Sequence, residues 1–172
     1  MKLRCAGIDG EGQFCPANTG RGQDLSPAFA LENLSPDAKT LAVTLEDLSH
    51  PIRAFTHWVI WNIPAAAVIP EAIPAGKTVL SLGGAIQGIG YGWHRYAGPK
   101  PPWGQAHRYR FTVYALDCAL DLSVNSGKKH FLRKADGHIL QRGTVTGEFR
   151  SPPPFGRKAR CQTVSRGRKS MP

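Results

Sequence analysis

The side chains with chemistry to offer include His107 and Tyr109, met at the end of a stiff loop. Gly98-Pro99-Lys100-Pro101-Pro102-Trp103-Gly104 holds three prolines and two glycines in seven residues. Proline locks φ and removes an amide donor, whereas glycine lets the chain turn and lets another group approach the backbone. Such a loop delivers His107-Arg108-Tyr109 to the mouth of a strand, and polar groups on a rigid strand end are how a binding pocket is built. Upstream, Asp47 and His57 supply an acid and a second imidazole. Asp47, His57 and His107 have the types of an acid–base set, and the same three could ligate a metal. No Gly-x-Ser-x-Gly elbow or comparable nucleophile motif accompanies them, and their spacing matches no zinc pattern. The chain therefore reads as a non-catalytic binder without metal or cofactor. A hydrolase using Asp47, His57 and His107 is the lesser alternative.

Strands must position these groups. Tyr109 to Leu116 alternates so that Tyr109, Phe111, Val113 and Ala115 share one face. Leu41 to Leu45 is apolar almost throughout, the pattern of a strand buried on both sides. Phe55 to Pro64 is a second such run, closed by proline. Strict alternation there predicts His57, Val59, Trp61 and Ile63 on one face and Trp58, Ile60 and Asn62 on the other. Val79 to Leu82 reads as a short strand in the long connection over 65–95. Gly84 to Gly90 has no strand–turn–helix frame, which argues against a nucleotide-binding loop. Lys128 to Ala135 is helical, and Asp136-Gly137 makes a turn. Trp58, Trp61, Trp93 and Trp103 read as core and rim packing, and His94 and Arg95 as rim. Arg108 and Arg110 read as solvated or ion-pairing groups, with Arg108 a candidate partner for Asp47.

A chain of 172 residues suffices for one domain with a real core. Its 19 glycines and 14 prolines favour a loop-rich β protein over a helical bundle. Apolar runs near Val59 and Ala65 are too short or interrupted to span a bilayer, and Met1 to Gly7 lacks the apolar core of a signal peptide. A cytoplasmic protein is the expectation. Cys5, Cys15, Cys118 and Cys161 lack zinc-site spacing and read as free thiols, with Cys118 partly buried and a Cys5–Cys15 bridge the open alternative.

The formal charge of +10 is unevenly placed. Residues 151–172 carry six cations (Arg157, Lys158, Arg160, Arg166, Arg168, Lys169) and no acid. The remaining sixteen Lys and Arg face all twelve Asp and Glu, a net of only +4. The expected organisation is a domain over 1–150 and a proline-initiated, disordered basic tail over 151–172. Such a tail would attract nucleic acid or an anionic membrane through its charge alone, which is the rival function class.

The proline-rich loop, His107-Arg108-Tyr109-x-Phe111 and Tyr114-Ala115-Leu116-Asp117 together resemble the second signature of the phosphatidylethanolamine-binding protein family. The likeness is to its bacterial, Raf kinase inhibitor-like (YbhB/YbcL-type) branch. The family's first signature, Asp-Pro-Asp-x-Pro followed by His, is matched by Asp47-Leu48-Ser49-His50-Pro51 and then His57. Leu48 replaces the first proline and Ser49 the second aspartate. Ser26-Pro27-x-Phe29-x-Leu31, Gly137-His138-Ile139-Leu140 and Gly147-Glu148-Phe149-Arg150 extend the resemblance over about 8 to 150, with Phe149 where tyrosine is usual.

The resemblance implies a mainly β fold, a large central antiparallel sheet packed on a smaller one with one or two short helices. It also implies a small pocket formed by Asp47, His57, Gly98, Pro99, Pro101, His107 and Tyr109, which takes phosphate or phosphorylated small molecules and head groups. The residue types suit that ligand, since imidazoles, a phenol and free amides around Gly98 all donate hydrogen bonds. Asp47 would accept an N–H from a histidine and fix its tautomer, or meet an ammonium group on the ligand. Ser49 leaves the site one carboxylate short, so phosphate should be preferred to a whole zwitterionic head group. Inhibition of a kinase or protease, and a homodimer, are further properties the resemblance implies.

Overall fold

The structure, a computed structural model, describes residues 1–53 and 55–153. The basic cluster from Arg157 onward, Cys161 and the expected disorder of the tail lie outside the described residues.

Two antiparallel sheets form the body. A six-stranded sheet runs in the order β6-β7-β4-β3-β8-β9, from β3 (Thr40–Asp47), β4 (Phe55–Pro64), β6 (Thr78–Val79), β7 (Ala85–Gln87), β8 (Ala106–Leu116) and β9 (Ile139–Arg150). A three-stranded sheet of β1 (Lys2–Cys5), β2 (Phe29–Glu32) and β5 (Val68–Ile69) packs on it. One helix, α1 (Lys128–Ala135), covers the opposite face. The fold is thus the mainly β, two-sheet arrangement expected.

Layering explains why β3 is buried along its whole length. Leu41, Val43 and Leu45 face the small sheet and meet Phe29, Leu31 and Ile69 in one core cluster. There Phe29 packs edge-on against Phe111 of β8, with ring centroids 5.0 Å apart. Ala42 faces the other way, into a second cluster with Val59, Trp61, Tyr114 and Leu116. Helix α1 closes that cluster with Phe131 and Ala135, its two buried residues. Burying a side chain the size of Phe131 stabilises by about 1.5–3 kcal/mol, which is what docks so short and lysine-rich a helix. Lys128 at its start also reaches the buried Glu46 carboxylate, which Arg110 Nη2 contacts at 3.2 Å.

Strict alternation fails twice along β4. Asn62, at φ +58°, lies where the β3–β4 register shifts between Leu41↔Ile63 and Val43↔Ile60. Ile63 therefore joins Trp58 and Ile60 in the inter-sheet core, not Val59 and Trp61. A second shift, between Leu45↔Trp58 and Glu46↔Thr56, makes His57 the extra residue of a bulge. Bulges re-aim a side chain, and this one moves His57 off the face of Val59 and Trp61. The alternation expected for both residues is corrected accordingly.

Val79 to Leu82 is not a strand either. Only Thr78 and Val79 pair, and Leu80–Leu82 coils into a 3₁₀ turn ended by Gly83 at φ +63°. Leu80 is 85 % exposed, so nothing apolar holds it extended. Cys5, Cys15 and Cys118 carry free thiols, with Cys118 partly buried. Among the described residues no helix is long and apolar enough to cross a membrane.

Candidate functional site

Asp47 ends β3 and lies opposite Tyr109 of β8 and Phe55 of β4 in the sheet register. His107 precedes Tyr109 by two residues on β8 and so shares its face. The bulge brings His57 to the same place, where its ring meets Tyr109 edge-on at 5.3 Å. Two signature segments far apart in sequence are thereby joined at one sheet end.

The hydrogen bonds fix each ring. Asp47 Oδ2 lies 2.7 Å from His107 Nδ1, which donates to it, and 4.0 Å from His57 Nε2. Asp47 Oδ1 accepts from the Ser49 amide at 2.8 Å. Ser49 Oγ in turn accepts from the Arg108 amide at 3.0 Å, pinning the turn after β3 to β8. His57 Nδ1 donates to the Ala97 carbonyl at 2.9 Å. Tyr109 is fully buried, and its hydroxyl makes no well-formed hydrogen bond among the described residues.

Burial sets the electrostatics. It pushes the His57 pKa below its usual 6.5, against the opposing pull of the Ala97 hydrogen bond and the Asp47 charge. It also raises the Tyr109 phenol far above its ordinary range, with the nearby Asp47 carboxylate acting in the same direction. His57 is thus a neutral imidazole near pH 7 and Tyr109 a neutral phenol.

These groups line an open cavity of about 570 Å³. Asp47, His57, Pro101, His107 and Tyr109, five of the seven residues expected, belong to its wall. Gly98 and Pro99 do not. The Gly98 amide is not free, because it donates to Asp24 Oδ1 at 2.6 Å. A Cβ at Gly98 would sit 2.4 Å from the Asn18 carbonyl oxygen, so the glycine serves close backbone packing. Gly98 lines a neighbouring cavity of about 380 Å³ with Arg21, Asp24 and Arg95. The Pro99 carbonyl accepts from the Gly20 amide at 2.9 Å.

Arg95 pairs with Asp24 at 2.8 Å, while His94 bonds the Gln87 carbonyl at 2.9 Å. Arg108 meets the turn after β3 through its backbone, and its side chain is not among the Asp47 partners. Trp58 and Trp61 are buried in the core, whereas Trp93 and Trp103 are about half exposed. The Arg21 guanidinium stacks 3.6 Å above the Trp103 ring.

The sequence reading missed His50, Pro51, Tyr91, Lys100, Pro102 and Gln105, which also line the cavity of about 570 Å³. Lys100 and Pro102 lie inside the proline-rich loop and could have been included. Tyr91 carried only the weak signal of standing between Gly90 and Gly92. Asp24 carried no signal at all. Among the described residues, three potential metal-ligand atoms lie within 4.8 Å of one another at Asp117, Cys118 and His138. The His138–Asp117 ion pair of 2.9 Å accounts for that cluster.

The sequence profile described as Phosphatidylethanolamine-binding protein matches residues 8–150. UPF0098 protein PH1269 of Pyrococcus horikoshii is 38% identical over 152 residues, 87% of this chain and 77% of that protein. UPF0098 protein YbhB of Escherichia coli is 35% identical over 131 residues, 74% of this chain and 83% of its own length. Among solved structures, a putative phosphatidylethanolamine-binding protein homolog, CT736 of Chlamydia trachomatis, superposes with a TM-score of 0.74 at 25% identity. That likeness covers 87% of this chain and 97% of the other. YbcL of E. coli shares the fold at a TM-score of 0.73 and 24% identity, again over 87% and 97% of the two chains.

Proposed function

The chain belongs to the phosphatidylethanolamine-binding protein family, and from that premise we propose that its cavity captures a phosphate-type anion without turning it over. Family membership supports the general part, a binding role. The anion is the finer reading.

One observation carries it. A buried phenol that makes no well-formed hydrogen bond among the described residues and two imidazoles converge on one cavity, and the single acid among them is already engaged by a histidine and an amide. Buried polar groups are ordinarily bonded, so an orphaned hydroxyl beside a cavity is a place reserved for a ligand or a water. Lys100 on the cavity wall adds a cation. Each charge-assisted bond contributes about 1.5–3 kcal/mol, so two or three suffice for micromolar to millimolar capture. Ser49, also on the wall, leaves one carboxylate fewer to attract an ammonium group. Inorganic phosphate or a phosphomonoester is therefore favoured over phosphorylethanolamine.

Titration calorimetry with phosphate and phosphorylethanolamine tests this on the intact chain. Binding of both, phosphate at least as tightly, and roughly tenfold loss in His107→Ala is the expected result. No heat with either ligand at millimolar concentration would defeat the proposal. A clear preference for phosphorylethanolamine would defeat only its Ser49 part.

A further inference from the structure

The Ala97 carbonyl can only accept a hydrogen bond, so the proton of neutral His57 sits on Nδ1, 2.9 Å away. Its other ring nitrogen, Nε2, then presents a lone pair. No hydrogen bond reaches that nitrogen from a donor among the described residues, and Asp47 Oδ2, 4.0 Å away, is itself an acceptor. The cavity thus offers His57 Nε2 as a hydrogen-bond acceptor in the midst of groups suited to an anion.

We infer that His57 makes the cavity selective for oxyanions that carry a hydroxyl, such as hydrogen phosphate or a phosphomonoester monoanion, over fully ionised ones such as sulfate. The inference rests on the anion-binding reading and specifies the ligand's protonation state. In the bound state the P–O–H donates to His57 Nε2, while Tyr109 Oη–H donates to an unprotonated oxygen. A phosphomonoester dianion takes one proton from hydronium or a buffer acid on entry, which forms the P–O–H bond and leaves the conjugate base in solution, and no bond to phosphorus changes. A sulfate oxygen placed there would meet a lone pair with no hydrogen between. Sites built to bond a substrate hydroxyl reject analogues lacking it far more strongly than apolar pockets reject a missing methylene.

The surroundings oppose the escape route of charging His57 instead. Burial disfavours the imidazolium, and so does His50 in the turn before β4. Asp47 on β3 and the more distant Asp24 pull the other way. Tyr109 and His107 face His57 from β8, and the Tyr91 and Phe55 rings pack 5.0 and 5.5 Å from it, none of them a carboxylate. Lys100 on the same wall adds positive charge.

Phosphate and sulfate provide the test, because near pH 8 (about two units above the second pKa of a phosphate ester) both are chiefly dianions that differ by one O–H. Calorimetry in Tris is expected to show phosphate binding at least roughly tenfold more tightly than sulfate. In His57→Gln, whose amide can present either oxygen or N–H, the two affinities should converge. A second measurement needs no variant. Methyl phosphate affinity in the wild-type protein should fall about tenfold per pH unit above about pH 6.5, with uptake of one proton, while inorganic phosphate stays nearly level to about pH 8.5. Equal wild-type affinities for phosphate and sulfate would overturn the inference and leave the anion site standing. Binding of neither would overturn both.

Discussion

Tyr109 lies directly opposite Asp47 in the β3–β8 register, fully buried, with its hydroxyl near the Asp47 carboxylate and the Lys100 amide but in no hydrogen bond of good geometry among the described residues. An unsatisfied buried hydroxyl costs about 1–3 kcal/mol, so removing it should not harm the free protein. Tyr109→Phe is expected to unfold at the same urea concentration as wild type or up to about 1 kcal/mol later. Phosphate affinity should fall roughly tenfold or more with the loss of one charge-assisted donor. A destabilised variant with unchanged affinity would make Tyr109 a core tyrosine and nothing else.

Asn62 controls which face of β4 meets the core. It adopts φ +58°, and its side chain bonds Leu120 twice, from Nδ2 to the carbonyl at 2.9 Å and from the Leu120 amide to Oδ1 at 2.8 Å. Asn62→Ala loses both bonds at about 1 kcal/mol each and pays about 1–2 kcal/mol for the left-handed conformation. The expected loss is about 3 kcal/mol by urea unfolding. Asn62→Gly keeps the backbone at ease and should lose clearly less. Equal losses would show that the side-chain bonds alone matter.

Strands β3, β4 and β8 and the helix were legible because their patterns are local. The apolar run from Leu41 to Leu45 lies within β3, Phe55–Pro64 matches β4, and Lys128–Ala135 matches α1. The two bulges were not legible, since the register of β4 depends on its pairing with β3 and not on its own period. That single limitation misplaced Ile63 and hid how His57 reaches the cavity. Five wall residues followed from the signature positions. Gly98 was misread because its amide partner, Asp24, lies 74 positions away in a segment with no pattern. Long-range side-chain bonds of that kind leave no periodic trace.

Burial of neutral His57 predicts a pH dependence of stability. Its folded pKa lies below 6.5, so on acidification the unfolded chain takes up a proton that the folded chain refuses. Stability attributable to this residue therefore rises with pH between the folded pKa and 6.5, and is level above that window. The slope cannot exceed about 1.4 kcal/mol per pH unit. His57→Gln should remove it, so the wild-type disadvantage relative to the variant should grow as pH falls from about 7 to about 5. Parallel urea-unfolding curves for the two proteins across that range would refute the assignment of a neutral, buried imidazole.

Ser49 is the position at which the ligand preference can be moved. Its amide holds Asp47 Oδ1 at 2.8 Å and its Oγ accepts from the Arg108 amide at 3.0 Å, both beside the cavity. An aspartate there keeps an acceptor for the Arg108 amide and adds one negative charge to the wall. Two unit charges about 6 Å apart interact by about 3 kcal/mol at an effective dielectric constant of about 20. Ser49→Asp should thus weaken inorganic phosphate, by up to roughly a hundredfold. Phosphorylethanolamine feels the same repulsion at its phosphate but gains an attraction at its ammonium group. Its affinity relative to phosphate should accordingly rise at least roughly tenfold by calorimetry. A ratio left at the wild-type value would mean that the ammonium never approaches this wall, and that position 49 serves the turn after β3 rather than the ligand.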